Sequence, residues 1–298
     1  MTGHEPLARN SASMLQSLDK DRFQEQSVGG EIGYFDIVEK LFISKRSMRL
    51  LIEELLPTTS GGTAPDRELD VGSLLEKSKA RISRNLKQAD SLGKDSYSQV
   101  FLSYMSRSFL LKNRNKREMM AILYVDLVGS TAMTAVLSPD QFSHLVRIFC
   151  QEMSIMISKS GGYVLKYAGD AVIGYFPKDP DIRTACENAI RCAFHLKRVV
   201  EGSLNVILAD NNYPKLRTRI AADVGENQIL VLGSDPDLLG QVISRAAKIM
   251  SKAKPNQVVI GDNLFKKIRS DLKSLFLEIE KYGLAETGEI YPIYRSAE

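Results

Sequence analysis

The sequence has little with which to build a disulfide framework or a zinc site. Its three cysteines, Cys150, Cys186 and Cys192, are an odd count without metal-type spacing, and read as small core residues of a reducing compartment. No uninterrupted apolar run approaches the ~20 residues a membrane helix needs, and the start lacks a secretory-signal pattern. A cytoplasmic protein with no membrane partner is expected. Strong charge of either sign is missing too. A net +4 over 298 residues falls short of the Lys and Arg density of a dedicated nucleic-acid binder, so no nucleic-acid partner is expected. His144 and His195 stand in helical patterns without a partner His, Cys or acid at ligand spacing, and neither is assigned a role. What is present is an apolar content of 44%. That suffices for a packed core, in one large or two ordinary domains.

The polar residues 1–30, ending in Gly29-Gly30, read as disordered. Apolar residues from Ile32 to Leu56 recur at helical spacing (Phe35, Val38, Leu41, Phe42, Met48, Leu51, Ile52, Leu55), and Pro57 stops the run. Residues 58–68 have linker composition. A second helix is predicted from Val71 to about Leu92, with a solvated basic face of Lys77, Lys79, Arg81, Arg84 and Lys87. A third spans about Tyr97 to Leu111. Residues 31–116 thus read as an all-helical regulatory or dimerisation module.

The informative stretch is 121–176. A buried-looking strand, AILYV, ends in an acid, Asp126. Ser138-Pro139 then opens a helix with a capping serine and a proline at its first position. GYVLKYA and AVIGYF form a hairpin pattern around Gly169-Asp170, which sets a second acid in a tight turn. A buried strand does not require a carboxylate at its end. Two acids at the ends of neighbouring strands suit a divalent cation held against a triphosphate.

YVDLVGST and VLKYAGDAV, with their acids 44 residues apart, followed by DLLGQVISRAAKI, resemble the class III nucleotidyl cyclase catalytic domain, the family of adenylate and guanylate cyclases. The resemblance covers roughly residues 117–295, in a catalytic domain placed at 117–298, and implies an α+β, ferredoxin-like, palm-type domain with a mostly antiparallel sheet. It also implies two Mg²⁺ or Mn²⁺ ions per site, on Asp126, Asp170 and the Leu127 carbonyl. Val128, Gly129, Ser130 and Thr131 would face the polyphosphate through backbone N–H groups. Lys166 and Asp237 would read adenine, with Asp235 as the alternative acid, and Lys281 resembles the family's late triphosphate lysine. The expected activity is conversion of ATP to 3′,5′-cyclic AMP and pyrophosphate.

Two positions depart from the family pattern. Where it has an Asn that orients the ribose and an Arg that meets phosphate charge, this sequence has Ser244 and Lys248, with Arg245 beside them as another source of a guanidinium. Lysine keeps the charge but loses the two-point fork. The departures leave open a cyclase for GTP or a pyrimidine triphosphate, or a catalytically weak nucleotide-binding signalling domain. The resemblance further implies a head-to-tail homodimer with shared sites.

Overall fold

The computed structural model describes residues 11–16, 18–56, 70–87, 94–283 and 290–297. The chain divides into two units between Ala64 and Pro65.

In the first unit, α1 (Ser11–Gln16) precedes β1 (Phe23–Val28), β2 (Glu31–Asp36) and β3 (Leu41–Ser44), which form an antiparallel sheet in that order, followed by α2 (Lys45–Leu55). This corrects the expectation of disorder to residue 30 and of a helix from Ile32. Gly29 and Gly30 both take positive φ, 60° and 84°, the geometry of a two-residue hairpin turn that suits strand twist. Only α2 keeps the predicted helical stripe, burying Met48, Ile52 and Leu55, and Ser44 caps it by accepting from the Ser47 N–H.

The second unit begins with α3 (Val71–Lys87) and α4 (Lys94–Lys112). It continues through β4 (Arg117–Leu127), α5 (Ser130–Met133), α6 (Pro139–Lys159), β5 (Tyr163–Ala168), β6 (Ala171–Pro177) and α7 (Ile182–Val199). A π-helical turn at Val200–Leu204 leads to α8 (Asn205–Asp210), β7 (Thr218–Leu232), β8 (Asp235–Leu239), α9 (Gln241–Met250) and β9 (Gln257–Gly261). The described chain closes with α10 (Asp262–Phe265), α11 (Ser270–Lys273), β10 (Phe276–Gly283) and β11 (Ile290–Ser296). The sheet runs β10-β11-β9-β7-β4-β6-β5, with β8 folded back on β7. The β7–β9 pair is parallel and the other pairs are antiparallel. The α+β architecture is the expected one. Two strands predicted at 216–224 and 228–232 are one continuous β7, and the helix predicted from Leu238 starts at Gln241, after β8.

Alternation along β4 divides its side chains between two faces. Ala121, Leu123 and Val125 join Val172, Phe176 and the buried stripes of α6 and α7 in the main core. Ser138 and Gln141 form the capping box that starts α6. Ile122, Tyr124 and Asp126 therefore face the other way. On that second face α9 packs over Ala221, Val259 and Ile293. Toward the β5 edge lies α4, with Phe109 stacked on Tyr163 at 4.9 Å and Ser106 Oγ 3.2 Å from Tyr175 Oη.

The basic residues of α3 are not all solvated, as the sequence suggested. Arg81 is buried and grips Glu152 of α6, Nε to Oε1 and Nη2 to Oε2 both at 2.6 Å, and Ser78 Oγ donates to Oε2 at 2.7 Å. So α3 and α4 belong to the second unit, and the division expected near residue 116 is not where the chain divides. Among the described residues, no helix is long and apolar enough to cross a membrane.

Candidate active site

Antiparallel pairing brings the two acids together. Val125 lies opposite Val172, so the next residue, Asp126, faces the start of β6, and Asp170 occupies the turn just before that strand. The carboxylates are close enough for the Asp170 charge to raise the Asp126 carboxyl. Burial is the larger cause holding Asp126 above the usual carboxylate range, and its hydrogen bond from Arg219 works against it. That bond, Arg219 Nη2 to Asp126 Oδ2, is 2.7 Å long. Asp170 Oδ2 is buried and makes no hydrogen bond. A buried acceptor without a donor is costly, and a cation relieves that cost. Among the described residues no group of three or more His, Cys, Asp or Glu gathers. A cation held here would take two carboxylates and complete its shell from backbone, water and substrate oxygens, as Mg²⁺ commonly does. Leu127 ends β4 with its side chain in the core, which leaves only its carbonyl for such a role.

An irregularity in β5 aims Lys166. Val164 pairs with Gly174, but Lys166 pairs with Ile173, so Leu165 is an extra residue. The bulge shifts the alternation by one. Val164 and Tyr167 face the α6 side, where Tyr167 Oη lies 3.0 Å from Ser154 Oγ, while Lys166 turns to the second face. There Lys166, Ile173, Tyr124 and Ala221 form one row across four strands, and Asp126 and Arg219 the next. The β7–β8 hairpin reaches this row: Lys166 Nζ donates to Asp237 Oδ2 at 2.7 Å. The Asp237 charge also adds to the burial that raises the Tyr124 hydroxyl. Asp235 bonds elsewhere, to Arg107.

The loop after β4 meets only part of its expectation. Gly129, at φ 78°, turns the chain into α5, and residues 129–131 bring backbone N–H groups of the kind a helix start leaves without an intrahelical partner. Val128 must be removed from the phosphate-facing set, because its N–H donates to the Arg217 carbonyl at 2.8 Å. On α9, Ser244 and Lys248 are exposed one turn apart. Arg245 does not stand in for the family's arginine here. Its Nε bonds to the buried Asp223, Nη2 reaches the Val224 carbonyl at 3.2 Å, and its guanidinium lies over the Tyr291 ring. Lys281 lies in β10 opposite Pro292, and its side chain falls outside the described residues.

Sequence reasoning missed Tyr124, Arg219 and Arg107. A cation just ahead of the apolar Ile220–Ala222 run of β7 was the one available signal for Arg219. Tyr124 and Arg107 acquire meaning only from strand register and from the packing of α4.

An interior strand, β4, with a carboxylate next to its end, beside a hairpin turn that supplies a second, is the arrangement the two sequence motifs anticipated. The chain belongs to the family described as the adenylate and guanylate cyclase catalytic domain, which matches residues 113–286. It is 25% identical over 181 residues to a cytidylate cyclase of Staphylococcus aureus, covering 58% of this chain and 43% of that protein. It is 23% identical over 207 residues to adenylate cyclase 2 of Rhizobium meliloti (strain 1021), covering 66% of this chain and 52% of the relative. The chain thus spans about half the length of these curated relatives, or less. The solved adenylyl cyclase CyaB of P. aeruginosa superposes with a TM-score of 0.55 at 17% identity, over 61% of this chain and 95% of that one. At that identity the likeness establishes the fold.

Proposed function

We propose that the second unit cyclises a nucleoside triphosphate whose base carries an exocyclic amine beside an unprotonated ring nitrogen. The observation that carries this reading is the Lys166–Asp237 pair itself, an ammonium and a carboxylate side by side at the cavity on the second face of the sheet. The ammonium donates to the ring nitrogen and the carboxylate accepts from the amine. Adenine presents that edge through N1 and its 6-amine, and cytosine through N3 and its 4-amine. Guanine and uracil present a carbonyl and an N–H instead, leaving both protein groups unpaired. ATP is the first reading, from the adenylate cyclase motifs. CTP is the second, favoured by the cytidylate cyclase relative.

In the reaction the ribose 3′-oxygen bonds to the α-phosphorus, the bond from the α-phosphorus to the α–β bridging oxygen breaks with its electrons leaving on pyrophosphate, and the hydroxyl proton passes to water. Asp126, Asp170 and the Leu127 carbonyl would hold Mg²⁺ or Mn²⁺, two ions per site, which when bound would lower the pKa of the hydroxyl and offset the triphosphate charge. The Gly129, Ser130 and Thr131 amides face the polyphosphate, Ser244 meets the ribose, and Lys248 and Lys281 meet phosphate charge. We assign the enzyme to a reducing, cytoplasmic setting on its three free, buried cysteines.

Product mass from an equimolar mixture of ATP, CTP, GTP and UTP with Mn²⁺ tests the base assignment. Cyclic AMP or cyclic CMP is expected, with Lys166→Ala losing about 10- to 100-fold of the discrimination against GTP. Cyclic GMP or cyclic UMP as the main wild-type product would reject the pairing, and no cyclic product at all would reject the enzyme.

The family likeness also supports a head-to-tail homodimer, metal acids from one subunit and base readers from its partner. Asp126→Ala and Lys166→Ala proteins, each inactive alone, are then expected to recover up to about a quarter of wild-type activity when mixed, as random pairing leaves one intact site in half of the dimers. Absence of recovery between proteins shown to exchange subunits counts against shared sites.

A further inference from the structure

The helix that precedes the catalytic fold forms a wall of the base-reading pocket. A cavity of about 440 Å³ lies between α4, β5 and the β7–β8 hairpin, with Ser106, Arg107 and Leu110 facing Lys166, Asp235 and Asp237. Arg107 grips the tip of the hairpin at two points: Nη1 to Asp235 Oδ1 at 2.6 Å and Nη2 to the Ser234 carbonyl at 2.8 Å.

The hairpin needs such a grip. Among the described residues β8 pairs only with β7, so one edge of it is free. The two-residue Gly233-Ser234 turn pairs Leu232 with Asp235 and so sets the register, with Asp235 and Asp237 two apart on one face of β8. It does not set how the arm, bound along one edge alone, leans toward β5. We propose that Arg107 sets that lean, acting as a positioning residue for base selection. By holding Asp235 and the Ser234 carbonyl, it keeps the hairpin in the orientation that brings Asp237 to Lys166. This rests on the reading of Lys166 and Asp237 as the base readers. The Arg107 and Asp235 side chains are 41% and 81% exposed, so the ion pair adds little to stability and its effect is orientation. A lysine would reach one acceptor of the two.

The test compares Arg107→Ala, Arg107→Lys and the charge exchange Arg107→Glu/Asp235→Arg in the full chain. KM and kcat are measured for each of the four triphosphates, and amide hydrogen exchange is followed across residues 228–239. Arg107→Ala is expected to raise KM for the preferred nucleotide about fivefold, the size of a lost exposed ion pair. It should also narrow the ratio between preferred and rejected bases, hold kcat, and speed exchange in the hairpin. Arg107→Lys should fall between, and the charge exchange should restore much of the selectivity. Unchanged exchange in Arg107→Ala overturns the proposal whether or not the wild type turns over. Faster exchange with unaltered KM and selectivity overturns it as well. A wild type without cyclic product, whose hairpin still loosens in Arg107→Ala, refutes the base-reading assignment and keeps the grip.

Discussion

Asp126→Ala and Asp170→Ala are each expected to lower cyclic-product formation by about 10³-fold or more, the scale of losing a group that stabilises developing charge in the transition state, while the chain stays folded. Asp126 sits at the end of β4 with 13% of its side chain exposed, against Arg219, which is 33% exposed. Burial raises the Asp126 carboxyl above its ordinary range. The sign of the linkage follows: a carboxyl raised in the fold favours folding below its unfolded pKa, and that contribution is lost as pH rises through the folded pKa. At neutral pH without divalent ions, Asp126→Asn is therefore expected to be no less stable than the wild type. Mg²⁺ is expected to reverse the comparison. At about 100 times its dissociation constant it stabilises a native site by about 2.7 kcal/mol, a rise in Tm that Asp126→Asn and Asp170→Ala should largely lack. Mass spectrometry of the product and melting curves with and without Mg²⁺ check both statements. Wild-type turnover in either alanine variant would refute the assignment.

Arg81→Ala is expected to destabilise the second unit by about 3–5 kcal/mol, since it strands a buried carboxylate. Both partners are enclosed, with side chains 5% and 1% exposed, and Ser78 completes the Glu152 carboxylate. Solvent screening, which reduces most ion pairs to little, does not reach this one. Glu152→Ala should cost a similar amount by stranding the guanidinium. Arg81→Met/Glu152→Leu should regain most of the loss, because the desolvation cost of the charges disappears with them. Urea unfolding curves decide. A midpoint for Arg81→Ala within the scatter of the wild type would show that the pair does not hold α3 on α6.

These two results sit at opposite ends of what the sequence disclosed. The closeness of Asp126 and Asp170, the Ser138 cap and the Lys166 and Asp237 positions were legible because each is local: a short motif fixes a strand end, a helix start or a turn. The Arg81 environment was not, because its partner lies 71 residues away and a basic helix stripe is ordinarily solvated. The first unit was misread for another reason. Phe35, Val38, Leu41 and Phe42 satisfy a helical spacing, and the Gly29-Gly30 turn that marks a hairpin looked like the end of a polar tail. Gly225 suggested a break in β7, yet the strand runs through it. A Cβ at that position would lie 3.0 Å from Val242 Cβ, so the glycine answers to the packing of α9. Arg245 had the right chemistry for phosphate, and only Asp223 beneath it explains why it serves as a strut.

The extra residue in β5 has a consequence for how this fold changes its preferences. Lys166 looks into the pocket because Leu165 occupies one surplus position in an edge strand. Without that surplus the same lysine would point at α6, and a neighbouring side chain would stand beside Asp237 in its place. Chain length at an outer edge thus decides which side chains line the cavity, separately from the identity of any one of them.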